Sequence, residues 1–214
     1  MKLILCRHGN TFGPGDVVVW TGSSNDLPLV EKGFEQARNV AMWLKNDQIA
    51  PDVIYASRLK RAHDFATTIK DQNDLSADIL EDDRLAEVDY GDWTGITDEA
   101  VADKFGLDVI EAWRQNNQFP PKGQWGESEQ EVLNRTKAFI DDLLGANKDS
   151  DKTILVISSN GILRFLLKAF SSSLYEEQAK GGGSQVKTGR VCMLDIEGGQ
   201  PNLKFWNKDP LDLI

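Results

Sequence analysis

The sequence predicts an α/β fold: a three-layer α/β/α sandwich with a mostly parallel central sheet and a C-terminal antiparallel hairpin. Three observations predict it. Short apolar runs, "LILC" (3–6), "VIYA" (53–56) and "TILVI" (153–157), have the length and continuity of strands buried on both faces. Each is followed by a polar tip and then by a helical apolar pattern, the βα alternation of a parallel sheet. Late in the chain, "VCMLDI" (191–196) and "NLKFW" (202–206) flank "EGGQ", so Gly198-Gly199 predicts a hairpin turn.

The helices follow from periodicity. Over 30–46, Phe34, Ala37, Val40, Ala41 and Leu44 fall on one stripe. Over 58–70, Leu59, Ala62, Phe65, Ala66 and Ile69 do the same. The segment 128–144 opens on "SEQE", a capping-box pattern of Ser128 and Glu131, and then places Val132, Thr136, Phe139, Ile140 and Leu143 on one face. After the third strand, "ISSNG" (157–161) reads as a strand end, a polar tip and the start of the helix "ILRFLLKAF". The stretch 84–127 is rich in Trp, Gly and Pro and less regular. It is expected to be an insertion over the sheet edge, with a short helix at 98–105, in a chain that otherwise forms one domain over 1–214. Trp93, Trp113 and Trp125 there either line a pocket or close the core, and core is the preferred reading. "KGGGS" (180–184) reads as a loop and lacks the Gly-Lys-Ser/Thr ending of a nucleotide-binding loop.

Composition bounds the function. The 214 residues carry 24 basic and 34 acidic side chains, a net charge of −10, which argues against a nucleic-acid or anionic-membrane binder. Cys6 and Cys192 are the only cysteines, and Cys6, inside an apolar run, reads as a buried free thiol. With only His8 and His63, a histidine-rich metal site is excluded. The N-terminal apolar run is too short for a signal peptide, and no run reaches the length of a membrane span, so the expected location is the cytoplasm.

In parallel α/β sheets, ligands bind beyond the carboxyl ends of the strands. Those ends carry "RHGNT" (7–11), "SRLKRA" (57–62) and "SSNG" (158–161), while the insertion holds "RLAEVDYGDWTG" (84–95). Arg7 and Arg61 supply two guanidiniums suited to a phosphoryl group. A neutral imidazole between them, His8, can attack phosphorus, since neighbouring positive charge disfavours the imidazolium. Glu87 can protonate a leaving oxygen.

At these residues the chain resembles the histidine phosphatases, the phosphoglycerate-mutase-like superfamily. "RHG" is joined, in order, by "NDLPLVEKGFEQA" (25–37), "YASRLKRAHDFAT" (55–67), "LAEVDYGDWTG" (85–95) and "GES" (126–128). The resemblance covers residues 7 to 164. It implies His8 as nucleophile through a phosphohistidine, Arg7 and Arg61 as the phosphoryl grip, and Glu87 as proton donor and then base. It implies no metal or cofactor, and a phosphorylated small molecule or phosphoprotein as substrate.

The resemblance also implies a second histidine after the third strand, in "SHGGxxR". This chain reads "SSNGILR", which leaves Ser159 or, with a one-residue shift, Asn160 at that place, each a candidate phosphate ligand. His63, roughly 200° from Arg61 around a helix, is expected on the surface. A second departure is Asn10, where the family often has glutamate, with Pro14 near its later asparagine. Three functions follow in order: a phosphomonoesterase of reduced activity, a degenerate relative that binds a phosphorylated ligand without turnover, and a phosphoglycerate mutase.

Overall fold

The computed structural model describes residues 1–121, 124–147, 150–180 and 183–214. Gly181-Gly182 of the expected 180–184 loop lie outside the described residues. One six-stranded sheet runs in the order β3-β2-β4-β1-β5-β6. Its strands are β1 (Lys2–Arg7), β2 (Val53–Ala56), β3 (Ile79–Glu81), β4 (Thr153–Ser158), β5 (Val191–Glu197) and β6 (Gln200–Lys208). β1 and β2 flank β4 in parallel register and β3 joins β2 in parallel, while β5 pairs antiparallel with β1 and β6 antiparallel with β5. At the β5–β6 turn, Gly198 and Gly199 have φ of +56° and +78°, the two positive values a type I′ hairpin requires.

Alternation along the central strands builds the two helical layers. Ile4, Cys6, Ile54, Leu155 and Ile157 face one core cluster with Ala37, Val40 and Leu44 of α1 (Glu31–Asn46) and Phe65 and Ile69 of α2 (Lys60–Gln72). Leu3, Leu5, Ile154 and Val156 face the other, with Phe139 and Ile140 of α5 (Glu129–Ala146) and Phe165 and Leu166 of α6 (Asn160–Phe170). A sheet covered on both faces needs the near-continuous apolar strands seen here. The capping box at Ser128 and Glu131 forms in both directions. The chain also forms α3 (Asp98–Phe105), α4 (Leu107–Asn116) and α7 (Ser172–Ala179). Among the described residues, no helix is long and apolar enough to cross a membrane. Cys6 and Cys192 are free and fully buried, and burial drives both thiols well above their ordinary pKa.

The expected insertion lies elsewhere than over a sheet edge. Ser158, at the carboxyl end of the central strand β4, donates its Oγ–H to the Leu85 carbonyl at 2.7 Å. From there Leu85, Val88, Tyr90, Trp93 and Trp113 join the α5–α6 core. The aromatic density explains the shift: these rings bury too much apolar area to be spared by the main core.

Candidate active site

β1 ends at Arg7, and its pairing with β4 sets Arg7 opposite Ser158, with His8 N–H donating to the Ser158 carbonyl at 3.0 Å. The next residue, Gly9, lies against Gly33 at the start of α1, where an added Cβ would strike Gly33 backbone. That close approach holds the His8 loop over the helix.

His8 is 6% exposed. Its Nδ1 lies 2.8 Å from the Gly9 carbonyl, which can only accept, so Nδ1 carries the ring proton and Nε2 a lone pair. Two donors reach that lone pair: Arg61 Nε–H at 3.2 Å and the Ser159 hydroxyl at 3.1 Å. Burial, then the charges of Arg61 and Arg7, hold the imidazole pKa well below its ordinary value, so the ring is neutral at pH 7. Ser159 and His8 therefore do not make a serine–histidine dyad. Such a dyad must form an imidazolium, here between two guanidiniums with no carboxylate on Nδ1 to compensate.

Arg61, from the first turn of α2, is 2% exposed and is fixed by the carbonyls of Asn25 (3.1 Å) and Gly22 (2.7 Å). Arg7 donates Nη1–H to the Val186 carbonyl at 2.8 Å, while its buried Nε has no protein partner. Asn160 Oδ1 accepts from the same residue's N–H at 2.8 Å, so Asn160 ties the 186 loop to α6. Burial lowers the pKa of both guanidiniums, and the nearby Glu87 charge opposes it.

Glu87 is 7% exposed and accepts from Val88 N–H (3.0 Å) and Gly161 N–H (3.4 Å). A side chain at Gly161 would collide with Glu87 Oε1, so glycine is what admits the carboxylate there. The loop itself is braced by Glu127 of "GES", which accepts from Asp89 N–H and pairs with Arg135, whose guanidinium donates to the carbonyls of Arg84 and Ala86.

These groups line one cavity of about 510 Å³ at the carboxyl ends of the parallel strands. It brings together Arg7, His8, Arg61, Glu87, Ser159 and Asn160. His63 is outside it, exposed on α2 beside Asp64 and Glu81, as its helical angle predicts. Asn10 lines the wall, accepting from the Thr188 hydroxyl and donating its N–H to Gln36. Trp93 is core alone, whereas Trp113 is both core and cavity wall. Sequence reasoning missed Tyr90 and Arg164. Burial, then Glu87, push the Tyr90 phenol well up, so it stays protonated. Arg164 is fully buried, 5.0 Å over the Trp113 ring, with Nη2–H donating to the Trp113 carbonyl. Its place in "SSNGILR" was a usable signal; Tyr90 gave none beyond lying three residues after Glu87. No group of three or more His, Cys, Asp or Glu that could hold a metal occurs among the described residues.

A neutral imidazole beside two guanidiniums, with a carboxyl group on the facing loop, is an arrangement suited to phosphoryl transfer. The chain belongs to the histidine phosphatase superfamily (branch 1), whose family model matches residues 3–209. It is 31% identical over 167 residues, 77% of each chain, to a 2,3-bisphosphoglycerate-dependent phosphoglycerate mutase of Rhizobium etli. It is 33% identical over 159 residues, 74% of this chain and 70% of the other, to phosphoserine phosphatase 1 of Hydrogenobacter thermophilus. Among solved structures it superposes on a mycobacterial glucosyl-3-phosphoglycerate phosphatase with a TM-score of 0.79 and 25% identity, covering 97% of this chain and 99% of that one. A putative α-ribazole-5′-P phosphatase of Escherichia coli gives a TM-score of 0.75 and 25% identity, with 98% of each chain covered.

Proposed function

We propose that this protein hydrolyses a phosphate monoester through a phosphohistidine at His8. The observation that carries the reading is the Nε2 lone pair, fixed by the Nδ1–Gly9 hydrogen bond and kept unprotonated between Arg7 and Arg61. Nε2 attacks phosphorus in line with the ester oxygen. As the P–O bond breaks, the Glu87 carboxyl group, on the facing loop, gives a proton to the departing alkoxide. The resulting carboxylate then takes a proton from water. That water's oxygen attacks phosphorus, the P–N bond breaks, and phosphate leaves with His8 neutral again. Arg7 and Arg61 bind the equatorial oxygens throughout, and the fixing of Arg61 by two backbone carbonyls means little reorganisation as charge shifts.

Ser159 replaces the implied second imidazole as the donor beside Nε2. Its hydroxyl and Arg61 Nε–H must both leave the lone pair before attack, and each then turns to a phosphoryl oxygen. It brings no positive charge, so turnover is expected to be reduced but not lost. The substrate is a phosphorylated small molecule, the class named for the phosphatase relatives. The mutase relative supports a second outcome, return of the phosphoryl group from His8 to an alcohol rather than to water.

The test is phosphate release from an aryl phosphate and a metabolite panel, with His8→Ala in parallel, and acid-quenched trapping of the labelled enzyme. Turnover and acid-labile label are expected in the wild type and absent in the variant. Equal rates in both would end the mechanism. Ester binding without phosphate release or label would identify a non-catalytic phosphate binder.

A further inference from the structure

The outer half of the cavity holds a charge pair that phosphoryl transfer does not use. Asp98, first residue of α3, meets Arg114 of α4 with Nη2 at 2.7 Å from Oδ2 and 2.9 Å from Oδ1. Both residues line the cavity. The Arg114 guanidinium also lies over the Trp20 ring, 5.4 Å from its centroid. Phe12, Val18, Val19 and Trp20 contribute apolar surface to the same cavity, and Val18 is 64% exposed.

Four arginines line the cavity among the described residues: Arg7, Arg61, Arg114 and Arg164. Arg61 donates to His8, and Arg7 depresses its pKa from beside it. Arg164, though at the cavity wall, is fully buried over the Trp113 ring and presents no accessible surface to a ligand. Arg114 is thus the cation within reach of a second anionic group on the alcohol part of a substrate, and Asp98 already neutralises it.

We propose that the cavity selects the phosphate monoester of an uncharged, partly apolar alcohol, and that Asp98 is the specificity-determining residue because it cancels Arg114. This rests on the phosphoester reading for its phosphoryl end. An alcohol bearing a carboxylate would meet Arg114 with its charge already offset through Nη2 and would face the Asp98 charge at close range, a built-in repulsive element. An uncharged group leaves the pair intact and gains apolar contact with Val18, Val19 and Trp20.

The test compares two probes, phenyl phosphate and 3-phosphoglycerate, by calorimetric titration. It uses His8→Ala protein if the wild type turns over, and wild-type protein if it does not. Phenyl phosphate is expected to bind at least about tenfold tighter. Asp98→Asn, which keeps the size of the first residue of α3, should narrow that ratio about two- to fivefold by strengthening 3-phosphoglycerate, the worth of a half-exposed ion pair. Adding Arg114→Gln should erase the gain, while unchanged melting temperatures exclude a fold effect. Equal binding of both probes by the starting protein, or an unchanged ratio in Asp98→Asn, overturns the inference. Selective binding without turnover would instead overturn the phosphatase reading and leave the selectivity standing. Turnover without selectivity would do the reverse, and absence of binding by either probe would remove both.

Discussion

Replacing Ser159 by histidine should accelerate this protein. Ser159 lies 3.1 Å from His8 Nε2 and is 2% exposed, so the position faces the phosphoryl site directly. It is the N-cap residue of α6, yet its side chain makes no capping hydrogen bond, so the helix loses nothing when the hydroxyl goes. A preorganised donor to the transferring group is worth about 10²–10³ in kcat, roughly 3–4 kcal/mol. The serine already supplies part of that. A neutral hydrogen bond nets about 0.5–1.5 kcal/mol and a charged one about 1.5–3 kcal/mol, leaving about 1–1.5 kcal/mol to gain. That difference is about tenfold in rate. Asn160→His is the control for register. Its Oδ1 accepts from Val186 N–H, so the change unties the 186 loop and should bring no gain. The assay is kcat for aryl phosphate hydrolysis, with phosphate affinity and melting temperature alongside. A Ser159→His protein that folds and binds phosphate normally but is no faster, or a faster Asn160→His, would refute the assignment of Ser159 as the donor.

Three other outcomes follow from the same geometry. Glu87→Gln keeps the acceptor for Val88 N–H but removes the acid, so kcat should fall by about 10²–10⁴ with a smaller change in phosphate affinity. His8 titrates well below an unfolded-state imidazole of about 6.5. As pH falls below about 6.5, the unfolded chain gains a proton that the folded one refuses, so His8 costs stability progressively. His8→Gln should therefore gain in unfolding free energy relative to wild type between pH 7 and 5, read by urea titration; a pH-independent difference would contradict a buried neutral ring. Finally, a methyl at Gly33 would strike the Asn10 carbonyl. Gly33→Ala should cost about 1–3 kcal/mol by overpacking and reduce activity by moving the His8 loop, checked by thermal melts and kcat.

The sequence was most legible where burial is two-sided or periodic. β1, β2 and β4 are continuous apolar runs, and α1, α2, α5 and α6 carry clear stripes, so their existence could be read directly. β3 could not: it is three residues long, largely exposed, and lies at the sheet edge on the ladder to β2. α7 has one buried residue, Tyr175, so its helical pattern carries almost no signal. The insertion was misplaced because composition reveals that Trp93 and Trp113 are buried but not against what. At the site, strand ends located Arg7, His8 and Ser159 by topology, and a helix angle separated Arg61 from His63. Asn10 drew notice only as a departure from the family pattern, while Tyr90, Asp98 and Arg114 were invisible as site residues because they reach the cavity through tertiary packing of loops and short helices. Ser158 is the instructive case. In the sequence it is one more polar residue at a tip; in the fold its hydroxyl fastens the Glu87 loop to the sheet.

The sheet order has a consequence for biosynthesis. β1, made before the other five strands of the sheet, sits between β4 and β5, partners that begin about 150 and 190 residues later. While the chain emerges from the ribosome, "KLILCR" has neither neighbour to pair with, and its apolar backbone edge stays open to other chains. Contacts of such long sequence separation form late and slowly, and unpaired apolar strands invite association with other chains. His8 meets Ser159 only when β4 docks, so the cavity cannot assemble until the residues of β4 have been made. Deletions that remove β4 or β5 should yield insoluble product rather than weak enzyme.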